Sequence, residues 1–327
     1  MRAVVLTQFG GPEVLQIVDI PAPKPGPEEV LVQVRATALN RADLLQRRGL
    51  YPNPFPDAHD VPGMEFSGTV ASVGERVRAW HEGDEVIGIV SGGAYGEQLV
   101  VHERQAMRIP AGVSLADAAA IPEVFITAWD AIVVQGGLTS GRWVLVHAAA
   151  SGVGTAAVQI AKAIGARVLA TCSAGKVAAV RALGAEVVVD YAAADFVQAV
   201  RDATGGRGVD VICDVVGGDY LDRNVAAIAV KGRIVQVGVM AGGAVTFNVG
   251  ALLPKRASIA GTVLRARPLE EKIAISQRFA TEVLPLFESG ALRVVIDSRY
   301  RLDDIAAAHA YMETNANVGK ILIDVTH

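Results

Sequence analysis

From Arg142 to Lys176 the chain reads as a buried strand, a turn of small residues, an apolar helix and a second buried strand. Trp143-Val144-Leu145-Val146 is continuously apolar, as suits a strand covered on both faces. Ala148 to Gly154 is the turn, Thr155–Ile164 has helical spacing and stops at Gly165, and Ala166–Cys172 is the next strand. This unit is the one that holds a dinucleotide. Small turn residues let the backbone amides approach a pyrophosphate, and the helix N-terminus brings partial positive charge to it. Against the pattern G-x-G-x-x-G, Ala149 and Ser151 replace the first two glycines and Gly154 matches the third. Taken alone, such a turn reads equally well as an ordinary strand-to-helix connection.

The stretch downstream adds to it. An acidic side chain about twenty residues after the fingerprint commonly grips the ribose 2′-hydroxyl of NAD. Here the place reads Thr171-Cys172-Ser173-Ala174-Gly175-Lys176, and no carboxylate follows until Glu186. A hydroxyl and a cation suit a 2′-phosphate, which a carboxylate would repel. The expected cofactor is therefore NADPH rather than NADH. The competing reading of Lys176 is a solvated first helical turn.

With 327 residues, two domains are the natural expectation. From Ala3 to about Ala120 the pattern is short strands and turns: Leu15–Ile20, Val30–Val34, Gly68–Gly74, Asp84–Val90 and Gln98–His102. Such a series suggests a partly open barrel. The segment Asn40–Tyr51 interrupts it with helical spacing, before the proline-rich run Pro52–Pro56. From about Ile121 strands and helices alternate: strand Val187–Asp190, helix 195–203, strand Val209–Asp214, helix 219–228, strands Arg233–Gly238 and Ser258–Val263. That alternation implies a doubly wound parallel sheet. A long helix from Leu269 to Gly290, strand Val294–Tyr300, helix 303–313 and strand Lys320–Val325 then return to the first domain. The expected division is 1–121 with 267–327 as one domain and 122–266 as the other.

Net charge is −4, with no basic stripe, which argues against a nucleic-acid partner. No apolar stretch is long enough for a membrane span, and the opening Met1-Arg2-Ala3-Val4-Val5 lacks the apolar core of a signal peptide. Cys172 and Cys213, the only cysteines, sit in buried-strand contexts as reduced thiols. The cytoplasm is the expected compartment.

Four stretches carry a family resemblance: Ala38-Leu39-Asn40-Arg41-Ala42-Asp43-Leu44, Ala119-Ala120-Ile121-Pro122-Glu123, Ser151-Gly152-Val153-Gly154-Thr155-Ala156-Ala157 and Asn317-Val318-Gly319-Lys320-Ile321. With them the whole chain resembles a zinc-free medium-chain dehydrogenase/reductase of the quinone oxidoreductase branch, nearest its tumour-suppressor-inducible subgroup. The resemblance implies a GroES-like barrel plus a Rossmann domain, with the active site in the cleft between them. Metal-binding relatives hold catalytic zinc where this chain has Asn40, Met64 and Glu123, a poor donor set for Zn²⁺. Two cysteines cannot build the relatives' structural zinc site. His59, His81, His102, His147, His309 and His327 show no ligand spacing. No metal is expected.

Without a metal to stabilise an alkoxide, favoured acceptors are those whose electrons delocalise once hydride arrives, such as quinones and conjugated enones. By resemblance Asn40, Asp43 and Tyr51 border the substrate. Asn40 either donates an amide hydrogen bond to a quinone oxygen or caps the following helix. Asp43 orients neighbours such as Arg41 or Tyr51. Tyr51 stacks on or hydrogen-bonds the substrate, or is a surface aromatic. Relatives often carry a second tyrosine where Leu45 stands, and Glu123 reads as structural. Ser151, Gly152 and Val153 face the pyrophosphate, and Ser173, Lys176 and Tyr191 match positions around the 2′-phosphate and adenine end. Thr127, Gly238, Met240, Val263 and Asn317 complete the expected cofactor set. Arg265 either borders the substrate mouth or is solvated. An enoyl or 2-alkenal reductase and a non-catalytic NADPH-binding sensor are the competing functions. The apolar run Ser258–Val263, read as an edge strand, points to a homodimer.

Overall fold

The computed structural model describes residues 1–55 and 59–326, so Pro56 and His327, named above, lie outside the described residues. The chain forms two compact units, one of Met1–Ile126 with Leu264–His327 and one of Thr127–Val263.

The first unit opens with an antiparallel pair, β1 (Arg2–Leu6) and β2 (Leu15–Asp19). Its larger sheet contains β3 (Glu29–Ala38), β4 (Glu65–Val73), β5 (Glu85–Ile89), β6 (Gln98–His102) and β7 (Met107–Arg108). Strict alternation explains β3: Val30, Val32, Val34 and Ala36 are fully buried while the residues between them are half-buried. A helix, α1 (Arg41–Arg47), leaves the end of β3, and α2 (Pro122–Trp129) follows the barrel strands.

The second unit is the alternating part. It runs β8 (Trp143–Val146), α3 (Gly152–Ala163), β9 (Arg167–Cys172), α4 (Val177–Ala182), β10 (Val187–Asp190), α5 (Phe196–Thr204), β11 (Val209–Asp214), α6 (Tyr220–Ala227), β12 (Ile228–Gln236) and β13 (Ser258–Gly261). All pairs are parallel, in the order β10-β9-β8-β11-β12-β13. The order reverses between β8 and β11, which makes that gap the topological switch point of a doubly wound sheet. The final strand stops at Gly261, short of the expected Val263, and stands at the sheet edge.

Helix α3 starts three residues earlier than its apolar spacing suggested. Ser151 is extended and its Oγ accepts from the Gly154 amide at 3.0 Å, so it caps the helix and draws Gly152–Gly154 into the first turn. Ala148 takes a left-handed conformation (φ 48°) to reverse the chain before it. Gly154 has no room for a side chain: a Cβ there would lie 2.4 Å from the Ala148 carbonyl oxygen. The third glycine of the fingerprint is thus required for close packing of helix on turn.

After the second unit come α7 (Leu269–Glu282), α8 (Leu284–Glu288), β14 (Ile296–Arg301), α9 (Ile305–Glu313) and β15 (Lys320–Asp324). The expected single helix from Leu269 to Gly290 is two helices, interrupted at Val283 two residues before Pro285. Proline has no amide to donate and its ring crowds the carbonyl four residues back, so the helix restarts with Pro285 in its first turn. Strand β15 pairs antiparallel with β3 and parallel with β14, returning the chain to the first sheet.

Candidate functional site

In the second unit, every expected cofactor residue except Thr127 follows the carboxyl end of a parallel strand. Ser151–Val153 follow β8, Ser173 and Lys176 follow β9, Tyr191 follows β10, Gly238 and Met240 follow β12, and Val263 follows β13. Because the strands are parallel, these positions share one edge of the sheet. Gly152 and Val153 are the first residues of α3, where helix geometry leaves amides without intrahelical acceptors. Ser173 opens a short 3₁₀ turn that ends at Lys176, and both are half-buried. Tyr191, Met240 and Val263 are exposed, and Thr127 is buried within α2.

In the first unit, Asn40, Asp43, Glu65, Tyr95, His309 and Lys320 form a buried polar cluster. Lys320 Nζ donates to Asn40 Oδ1 and to the Leu39 carbonyl, both at 2.6 Å, and lies 2.8 Å from Glu65 Oε1. Asn40 Nδ2 donates to Glu65 Oε1 (2.9 Å) and to the Ala38 carbonyl (3.2 Å). The other carboxylate oxygen of Glu65 accepts from the Glu123 amide at 2.8 Å. Asn40 does stand at the N-cap position of α1, but its side chain is engaged by Lys320, Glu65 and Ala38. Both amide hydrogens are committed, so donation to a substrate oxygen requires one of them to exchange partner.

Asp43 does not orient Arg41 or Tyr51. Its Oδ2 accepts from the Asn40 amide (2.8 Å) and from the Tyr95 hydroxyl (3.1 Å), while Arg41 donates to Asn315. Tyr95 OH also lies 3.2 Å from His309 Nε2. Burial pushes the Asp43 carboxyl up to about 6, against the lowering influence of the Asn40 amide, Lys320, Arg265 and Tyr95. Burial likewise holds His309 down at about 3, so its imidazole is neutral at physiological pH.

Arg265 is buried at 5% exposure rather than solvated. It donates to the Ser91 carbonyl (2.6 Å), Gln46 Oε1 (2.8 Å) and the Tyr51 carbonyl (3.2 Å), and its guanidinium stands 5.4 Å from the Tyr51 ring centroid. Tyr51 is half-buried, and desolvation raises its hydroxyl pKa. Asn317 is buried in the first unit, where its Nδ2 donates to the Gly319 carbonyl at 2.9 Å.

Comparison with known proteins identifies the family. The family described as "Zinc-binding dehydrogenase" matches residues 152–287, and "Alcohol dehydrogenase GroES-like domain" matches residues 26–111. The quinone oxidoreductase of Lama guanicoe is 33% identical, over 99% of this chain and 97% of that protein. The chain belongs to the medium-chain dehydrogenase/reductase family. The rat synaptic vesicle membrane protein VAT-1 homolog is 32% identical over 99% of this chain and 84% of its own length. Among solved structures, the Escherichia coli quinone oxidoreductase complexed with NADPH superposes with a TM-score of 0.89 at 30% identity, covering 99% of this chain and all of that one. An NAD-dependent alcohol dehydrogenase gives 0.88 at 34% identity with both chains fully covered, and the JamJ enoyl reductase gives 0.88 at 27% with 99% of each covered. Membership makes this chain an oxidoreductase of a family that binds a nicotinamide cofactor.

Of the three positions that the resemblance sets against zinc ligands, Asn40 is bonded to the Lys320 ammonium, Met64 is buried, and the Glu123 amide is tied to Glu65. Among the described residues no group of three or more His, Cys, Asp or Glu is arranged to hold a metal ion, and no helix is long and apolar enough to cross a membrane. Sequence reasoning did not single out Glu65 or Lys320. The usable signal was a charge inside an apolar run, Met64-Glu65-Phe66 and Lys320-Ile321-Leu322-Ile323, which has to be paired once buried.

The Asp43 shift has a definite sign. A carboxyl raised by folding keeps its proton where the unfolded chain has already released it, so stability falls as pH rises between about 4 and 6 and the full cost of the charge is present above that interval. Asp43→Asn does not titrate. Relative to the parent, the variant is expected to gain about 2 kcal/mol between pH 4 and pH 7. Urea unfolding at the two pH values measures this, and a parallel pH dependence of both proteins would refute it.

Proposed function

We propose that this chain is an NADPH-dependent quinone oxidoreductase that works without zinc, delivering hydride to quinones or similar conjugated carbonyls. The observation that carries the reading is the C-terminal edge of the parallel sheet: a capped helix N-terminus at the switch point beside a loop that presents Ser173 and Lys176 and no acidic side chain. The residues fit a phosphorylated dinucleotide. Gly152 and Val153 supply free-standing amides for the pyrophosphate, Ser173 and Lys176 a hydroxyl and a cation for the 2′-phosphate, and Tyr191 an exposed aromatic face for the adenine end. Gly238, Met240, Thr127, Val263 and Asn317 are assigned to the nicotinamide end. When bound, NADPH supplies the hydride.

The chain's own contribution is to orient and to exclude water. Asn40, fixed by Lys320 and Glu65, and Tyr51, fixed by Arg265, are assigned to the acceptor, and Asp43 holds the start of α1 in place. Zinc independence is supported by the donor chemistry, because the Lys320 ammonium already satisfies the oxygen of Asn40 and one oxygen of Glu65. The second reading, an enoyl or 2-alkenal reductase, is favoured by the full-length likeness to the JamJ enoyl reductase. A cytoplasmic location accords with two free, buried thiols. We also assign a homodimer formed through β13, an edge strand that exposes Ile259 and has exposed Val249, Leu253 and Val263 before and after it in the chain.

NADPH consumption across ortho-quinones, para-quinones and 2-alkenals should be fastest with a quinone. Turnover of an enal with none of any quinone would replace the first reading by the second. Lys176→Ala should weaken NADPH binding about tenfold and leave NADH nearly unchanged, as expected for one charge-assisted contact. Equal losses would show that Lys176 does not read the 2′-phosphate. Sedimentation at micromolar concentration should show a dimer, and a monomer throughout would remove that assignment.

A further inference from the structure

His147 is fully buried at the end of β8, one residue before the turn that leads into α3. Its Nε2 lies 2.7 Å from Asn224 Oδ1 and its Nδ1 3.0 Å from Thr171 Oγ1. The amide of Asn224 is oriented by its other bond, since Nδ2 donates to Asp214 Oδ2 at 2.8 Å. Asn224 Oδ1 must therefore accept, so the imidazole carries its proton on Nε2 and receives the Thr171 hydroxyl hydrogen at Nδ1. Every polar atom of the neutral ring is satisfied. Burial lowers the His147 pKa and favours that neutral form. Phe196 and Tyr220 meet the ring in edge contacts, both with centroids at 4.8 Å, and leave it one orientation.

What these bonds reach is the unusual part. Thr171 is the penultimate residue of β9, two residues before the Ser173–Lys176 turn, and its carbonyl also accepts from the Ala149 amide at 2.9 Å. On the other side, Asp214 ends β11. Its Oδ1 accepts from the Val216 amide (2.6 Å) and the Gly217 amide (3.0 Å), folding the loop after that strand back on itself. That loop in turn holds the one after β12: Met240 and Ala241 donate to the Val215 and Val216 carbonyls, and Gly218 donates to Gly242. Gly217 and Gly218 are left-handed (φ 67° and 57°), and a Cβ on Gly217 would lie 3.0 Å from the Gly242 carbonyl, so the two loops lie backbone to backbone.

We propose that His147 is a positioning residue that sets both ends of the dinucleotide site at once, the 2′-phosphate loop through Thr171 and the Gly238–Met240 loop through Asn224 and Asp214. This rests on the nucleotide reading given above, which assigns no role to His147, Asn224 or Asp214. The imidazole touches no ligand itself. It fixes the spacing between the loops, so that recognition at one end and placement of the nicotinamide at the other are built on one buried side chain.

The test uses the nucleotide-free protein first. Hydrogen exchange followed by mass spectrometry should show the Val215–Asp219 segment of His147→Leu exchanging about tenfold faster than in the parent, with the β8 and β9 amides unchanged. Fluorescence titration should show NADPH binding about tenfold weaker in the same variant, on the same scale of one lost buried hydrogen bond. His147→Gln keeps a donor toward Asn224 and an acceptor toward Thr171, and should recover most of both effects. Thr171→Val breaks only one arm. It should weaken adenosine 2′,5′-bisphosphate and leave exchange of Val215–Asp219 unaltered. If His147→Leu does not fold, the Gln and Val variants decide between them. Unchanged loop exchange in a folded His147→Leu protein, or a Gln variant no better than Leu, overturns the proposal. A parent that binds no nicotinamide nucleotide while the exchange results hold overturns the nucleotide reading and leaves the loop wiring intact.

Discussion

Parallel strands send their last residues to one edge, and the backbone groups there have no ladder partner beyond the final pair. In this chain that edge, between β8 and β11, is where the strand order reverses and where the amides at the start of α3 lack helical acceptors. Something has to satisfy or neutralise those groups. The chain itself meets part of the demand with Ser151 Oγ on Gly154 and with Asp214 on Val216 and Gly217. The amides of Gly152 and Val153 have no such helical acceptor, and the proposal assigns them to an anion. The functional reading follows from that remainder more than from any one motif.

The first unit solves a different problem. Its barrel strands bring a lysine and a glutamate into an interior where neither can stay unpaired, and the amide of Asn40 bridges them. The same residues link the end of β3, the start of α1, β4 and the last strand, so the acceptor-side segment is held by its own buried charges. The Lys320 ammonium lies between the side-chain oxygens of Asn40 and Glu65. The metal-independent chemistry proposed above needs an acceptor that can spread charge over itself, because no Lewis acid is assigned to receive it.

Much of this was legible in the residues. Apolar continuity marked β8 and β9 as buried strands, and the strand-helix alternation gave the parallel sheet, because a strand covered on both faces cannot show a polar side. The start of α3 was misplaced because glycines look like a turn, whereas a serine cap makes them a first helical turn. The break at Val283 was missed because hydrophobic spacing carries across a proline that ends the hydrogen-bond ladder. The sequence left Arg265 open between the substrate mouth and solvent because it does not show three carbonyl and amide oxygens converging from distant segments. The roles of Tyr95 and His309, and of Asn224 toward His147, were invisible for the same reason: each bond joins residues far apart along the chain.

The central claim is that the turn after β8 and the start of α3 hold the pyrophosphate of a phosphorylated nicotinamide nucleotide. A crystal grown with NADPH measures it directly. The account predicts the pyrophosphate on the amides of Gly152 and Val153 with the 2′-phosphate within reach of Ser173 and Lys176. A nucleotide bound elsewhere, or Ser151–Val153 facing away from it, would contradict the account.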